Sequence, residues 1–215
     1  MNGVDSEKLI SDEIGASHVI YSVIKVASNK EENGYCFNPE TTIGIIFGEP
    51  CAPYDSERVQ AIEALFADTG LHYRSTEYIR EEMWSKFRLN VCNNLPQAIL
   101  GAGVGCYQDS VHMKAISDGL RRELEAIASA KGIDISKAAA SSGHGSAVPH
   151  QPDIPHCRIW MRDAIRRLIC SQARWSAWGG NLGFLRRIMN IPTIMIKALE
   201  EKMMGSLTIA KRMEK

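Results

Sequence analysis

The stretch EEMWSKFRLNVCNNLPQAIL (81–100) carries Lys86, Asn90 and Asn94 at four-residue intervals. Groups at i, i+4 and i+8 share one face of a helix. One long cation followed by two neutral amides suits a small polar anion or a ketone. The competing reading is a solvated polar stripe. Spacing alone favours that reading, because exposed polar faces are common on helices.

Other chemistry-bearing patterns are weaker. GAGVG (101–105) has the glycines of a phosphate-binding turn. It follows a helix rather than a strand, however, and no acid stands at the end of a second strand beyond it, so it reads as an interhelical turn. His144, His150 and His156 are six apart in a loop, which is not the spacing of a helical or finger-type metal site. The arginines from 158 to 187 are not interleaved with aromatics on a strand platform, so nucleic-acid binding is not expected.

The bulk composition agrees. The 215 residues hold 25 Lys+Arg against 25 Asp+Glu, so no global field favours nucleic acid or an anionic membrane. No run has the length of a membrane span. MNGVDSEKLI lacks the basic start and apolar core of a signal peptide. The six cysteines show neither CxxC nor a framework spacing. They read as reduced thiols of a cytoplasmic protein.

The elements that must position Lys86 divide into two types. Val4 to Ile14 is expected as a short amphipathic helix ended by Gly15. HVIYSVIKVAS (18–28) is β-branched and reads as a strand. ENGYCFNPETTIGIIFG (32–48) holds an Asn-Gly turn signal and a second strand pair. Asp55 to Ala67 is a helix capped by Asp55 or Ser56, with Val59, Ile62, Leu65 and Phe66 on one face. LHYRS (71–75) is a short strand. Thereafter the pattern is helical: Thr76 to Ile99, with Pro96 marking a kink or restart. Next comes Asp109 to Lys131, striped by Met113, Ile116, Leu120, Leu124 and Ile127 and stopped at Gly132. ASSGHGSAVP (140–149) is a loop by composition.

The motif W-x-K-x-x-x-N-x-x-x-N over Trp84, Lys86, Asn90 and Asn94 resembles the first helix of the C-terminal domain of ketopantoate reductases (2-dehydropantoate 2-reductases). Asn2-Gly3 resembles that family's Q-N-G segment, TTIGIIFGEP (41–50) its last strand pair, and RRELEAIASAKGIDIS (121–136) its E-x-x-x-x-A-x-x-x-G-I helix end. The resemblance covers 2–149 nearly continuously. It implies an α/β remnant of a Rossmann domain over 1–75, followed by an all-α domain of the 6-phosphogluconate dehydrogenase C-terminal-like class over 76–215. It also implies NADPH-dependent reduction of ketopantoate, a 2-keto acid, to pantoate on the route to coenzyme A. Lys86 would be the general acid, Asn90 and Asn94 would bind the substrate, and Asn2 would lie near the cofactor. A homodimer through the helical domain is compatible with this.

The resemblance also exposes gaps. The family's G-x-G-x-x-G fingerprint lies upstream of the Q-N-G segment, so the chain reads as N-terminally truncated. The family's serine pair S-S/T-L/M-Q-D and its catalytic T-E-x-D are missing as written. Arg174 stands where counting back from IPT (191–193) places the acid. Residues 156–180 (HCRIWMRDAIRRLICSQARWSAWGG) carry three of the four tryptophans, and no lysine falls between Lys137 and Lys197. A one-base shift in reading register accounts for this. Trp and Met have single codons, so Trp160-Met161 becomes Asp, His156-Cys157 Leu, Trp178-Gly179 Gly and Met189-Asn190 Glu. The degenerate junctions then permit S-S-L-Q-D, T-E-V-D and I-P-T-P in order. Residues 150–194 are therefore expected to be irregular and frameshifted, as is the tail after 202, where KMMGSLTI permits N-D-G-K-F-D-Y. Two function classes follow: an oxidoreductase of this family, inactive as the chain stands, or a non-catalytic helical module that dimerises or binds a partner through 76–135.

Overall fold

In the computed structural model, the residues described are 3–26, 28–31, 34–37, 42–100, 102–103 and 105–141. Asn2, the loop histidines, Arg174 and the whole 150–194 segment lie outside them. The described residues form an α/β portion and then a run of helices. The elements in order are α1 (Ser6–Ile14), β1 (Tyr21–Lys25), β2 (Ser28–Glu31), β3 (Gly34–Phe37), β4 (Gly44–Gly48), α2 (Glu57–Phe66) and β5 (Tyr73–Ser75). They continue with α3 (Ile79–Leu89), α4 (Leu95–Leu100), α5 (Cys106–Asp109), α6 (Val111–Ala130) and α7 (Ile135–Ser141). They fall into two compact units. One holds the residues up to Asn90 and those from Leu124 on; the other holds Val91–Glu123.

The first unit is built on a three-stranded sheet in the order β1-β4-β5. β1 runs antiparallel to β4, with Val23 opposite Ile46; β4 runs parallel to β5, with Ile46 opposite Arg74. A strand alternates faces every residue, so Val23, Ile46 and Arg74 form one row across the sheet, and Lys25 lies on the face of Val23. β2 and β3 form a separate antiparallel hairpin, with Glu31 opposite Gly34. α3 answers the sheet with Ile79, Glu82, Met83 and Lys86, spaced three, four and seven apart as a helix face requires. Val23, Ile46, Ile79 and Met83 are buried together as the core at this contact. α7 packs on α3 as well. Nothing in the sequence pattern marks α7, a seven-residue Ala-rich helix too short to show a period.

Gly44 allows the sheet to close. Its φ is +85°, and a Cβ there would come within 1.9 Å of the His72 carbonyl oxygen. A residue with a side chain therefore fits neither the backbone conformation nor the space. Ser56, one of the two cap candidates, caps α2 by accepting from the Val59 N–H.

Two expected core positions are corrected. Leu65 is 70% exposed, whereas Val59 is buried, so the apolar face of α2 turns away from Leu65. Ile116 is also exposed, and Ser117 is buried in its place. The buried line of α6 is thus Met113, Ser117, Leu120, Leu124 and Ile127. These intervals of four and three keep one face, and the small hydroxyl side chain supplies the missing position. Pro96 sits in the first turn of α4, a tolerated place for proline, so it marks a restart.

Leu124 is fully buried and Ile116 is not. Leu124→Ala should therefore cost about 2–5 kcal/mol of unfolding free energy. Ile116→Ala should stay within about 0.5 kcal/mol of wild type. Urea denaturation of the two variants checks the assignment.

Candidate functional site

Lys86 lies in the last turn of α3, on the face turned to the sheet. Its side chain is half-buried, and its ammonium donates to the Ile24 carbonyl at 2.6 Å. Burial pulls its pKa below the ordinary lysine value, and the positive charge of Lys25 pulls it down further. The direction is the one desolvation requires of a cation.

The group that organises this corner is not among the residues the sequence singles out. Glu82 is fully buried, four residues before Lys86 on the same helix. One carboxylate oxygen accepts from the Lys25 ammonium at the end of β1, the other from the Arg74 guanidinium on β5. Among the described residues, Lys25 and Arg74 thus place two positive charges on Glu82, with the Lys86 ammonium beside Lys25. A surplus of positive charge beside a hydrogen-bonding lysine suits an anionic or carbonyl-bearing small molecule. Glu82 could have been found from its place on the 79/82/83/86 stripe. Lys25 and Arg74 could not, because only the strand register aligns them.

The two asparagines occupy the end of this helix. Asn90 is the C-cap of α3, with its N–H bonded to the carbonyls of Lys86 and Phe87. Asn94 closes a single π-helical turn, Asn90–Asn94, and its side chain is exposed. The four-residue rule is an α-helical rule, and a π turn, bonded i to i+5, does not keep it. Lys86 and Asn90 belong to the first unit, Asn94 to the second. Tyr107, in that second unit, donates to the Asn93 carbonyl at 2.5 Å, which ties the chain beside Asn94 to α5.

Nothing among the described residues forms a cradle for the phosphates of a dinucleotide. Gly103 and Gly105 would be the natural candidates by position, but the Gly103 carbonyl accepts from the Cys106 N–H and the Gly105 carbonyl from the Gln108 and Asp109 N–H groups at the start of α5. The start of α2 is filled by protein: Ser56 donates to Glu49 and Arg58 pairs with Glu49. The described residues therefore do not fit the cofactor's phosphates.

Comparison with known proteins gives this geometry a context. Residues 78–167 match the family model described as the C-terminal domain of ketopantoate reductase PanE/ApbA. The chain is similar to the ketopantoate reductases. A PanE/ApbA family ketopantoate reductase from Ralstonia eutropha superposes with a TM-score of 0.68 at 19% identity, over 94% of this chain and 66% of that one. A 2-dehydropantoate 2-reductase from Methylococcus capsulatus gives 0.66 at 18%, over 97% and 70%. A D-mandelate dehydrogenase solved with NADH gives 0.69 at 14%, over 94% and 69%. At these identities the likeness is one of fold: a sheet portion followed by a mostly helical region. The chain spans just under two thirds of the Ralstonia eutropha structure's length. No curated protein sequence matches the chain. No helix among the described residues is long and apolar enough to cross a membrane.

The lowered pKa of Lys86 has a consequence for stability. Between the folded value and the unfolded 10.5, the unfolded chain binds the extra proton, so stability rises with pH across that interval. Lys86→Met abolishes this contribution. The stability of wild type relative to the Lys86→Met variant should therefore increase as pH is raised toward 10.5, as measured by urea denaturation at each pH. A flat difference would mean that Lys86 titrates alike in both states.

Proposed function

We propose that this chain carries the substrate-side half of a 2-keto-acid reductase site of the ketopantoate reductase kind. The single observation behind this is Lys86, held half-buried on a neutral carbonyl beside a second ammonium. An ammonium in that setting is a proton donor matched to a ketone oxygen that gains negative charge on reduction. Asn90 and Asn94 would hydrogen-bond the substrate. The hydride is what NADPH supplies to such a reaction, and Asn2 is the residue expected near it. On this reading, residues 1–75 are the C-terminal part of a Rossmann domain and 76–215 a helical domain.

We further propose that a slipped register underlies the composition of 150–194 and of the tail after 202, leaving the site without its carboxylate. The family match runs past residue 150 to 167 and ends before Arg174 and the IPT segment. Sequencing the locus across codons 145–205 decides this: one continuous frame, shared by close relatives, sinks the slip.

Binding without turnover is the expected behaviour. Ketopantoate should bind the full chain saturably in calorimetry or ligand-observed NMR. Lys86→Ala should abolish binding, and Asn90→Ala and Asn94→Ala should each weaken it about tenfold, the scale of one hydrogen bond to a charged group. Binding that is indifferent to Lys86→Ala would transfer the weight to the reading of 76–135 as a dimerising or partner-binding module.

A further inference from the structure

A glutamate four residues before a lysine on a helix is the favourable orientation for an ion pair. Glu82 and Lys86 have that spacing on α3, and both lie on the face toward the sheet. The pairing is not the one the fold makes. Lys25 from β1 and Arg74 from β5 each donate to a different oxygen of Glu82, while Lys86 turns to the Ile24 carbonyl. Ile24 and Lys25 are consecutive, so one strand end supplies both the acceptor for Lys86 and the cation that holds Glu82.

We propose that Lys25 and Arg74 are positioning residues for Lys86: by engaging both oxygens of Glu82 they divert its carboxylate from the lysine, leaving the Lys86 ammonium on a neutral acceptor next to a like charge. The consequence is an acidified ammonium, and its use rests on the reading of Lys86 as the proton donor to a keto acid. Two other charged groups near α3, among the described residues, have partners of their own. β4 (GIIFG) carries no ionisable side chain. Lys137 of α7 stands over the Tyr78 ring, 5.4 Å from its centroid, at the opposite end of α3. Arg88 is paired with Glu125 at 2.8 Å. The like charge acting on Lys86 is that of Lys25.

The test is trace acylation of the full-length chain with acetic anhydride, read for Lys86 by peptide mass spectrometry. Only the free amine reacts, so at about pH 8 the rate reports acidity, a one-unit change being about tenfold. Lys8 and Lys114 serve as exposed references. Lys25→Met should slow Lys86 labelling about tenfold relative to those references, and Arg74→Met should slow it as well. Lys25→Arg should leave the rate unchanged. The double variant Lys25→Met/Glu82→Gln removes the buried carboxylate together with Lys25, leaving the part-exposed Arg74 an amide oxygen as acceptor, and serves if a single variant fails to fold. It should slow labelling less than Lys25→Met, because no carboxylate is released to Lys86. Wild-type labelling in a folded Lys25→Met or Arg74→Met chain, or in the double variant where the single variants do not fold, overturns the proposal. Equal slowing in Lys25→Met and the double variant also overturns it. Neither ketopantoate nor NADPH enters the measurement. Failure here therefore leaves the substrate reading intact, and failure of ketopantoate binding leaves this result intact.

Discussion

A carboxylate with no access to water must be compensated or lose its charge, and the first unit is arranged around one such group. Glu82 is fully buried in the contact between α3 and the sheet. Its two cations come from strands on opposite sides of β4: Lys25 on β1 and Arg74 on β5. Both must arrive for the charge to be tolerated, because removing one partner of a buried ion pair typically costs about 3–5 kcal/mol. The constraint therefore fixes the register of two strands and the rotation of one helix at once. A one-residue slip of β1 would send Lys25 to the other face. A rotation of α3 would withdraw Glu82 and carry Lys86 with it.

That constraint also explains which parts of the molecule are legible in its sequence. Periodicity along one element reads well. The stripe of α6 emerges at Met113, Leu120, Leu124 and Ile127, and Lys86 falls on the side of α3 that meets the sheet. The errors come where an apolar residue falls beside the true face, as at Leu65 and Ile116, since the pattern rewards hydrophobicity and cannot see Ser117 taking a core position. Relations between elements do not read at all. Lys25 and Arg74 lie on strands far apart in the chain, and nothing local to either marks them as partners of Glu82. Their association exists only once β4 has paired with both of its neighbours.

The π turn at Asn90–Asn94 shows a subtler limit of the same kind. Reading Lys86, Asn90 and Asn94 as one face assumes unbroken α-helix, which holds only up to the C-cap of α3. Such turns occur often at functional sites. Pro96, the residue that marks a break by its type, sits comfortably inside the first turn of α4; the interruption lies just before it. The solved reductases share this fold at 18–19% identity, so the architecture survives extensive replacement of side chains. Few individual residues can then be interpreted by likeness alone, and the charge geometry of this chain has to be argued on its own terms.

On those terms, residues 82 and 86 meet one problem with opposite solutions. Both are ionisable groups on the sheet-facing side of α3, one turn apart, Glu82 fully buried and Lys86 half-buried. Glu82 receives two opposite charges, and its anion is secured. Lys86 receives a carbonyl and a neighbouring cation, and its cation is penalised. A purely structural role is better filled by a neutral side chain of similar length, or by the ion pair with Glu82 that the helix offers at no extra distance. An ammonium set against a like charge costs stability wherever it remains charged, and the same arrangement that lowers its pKa is the one burial and a neighbouring cation impose.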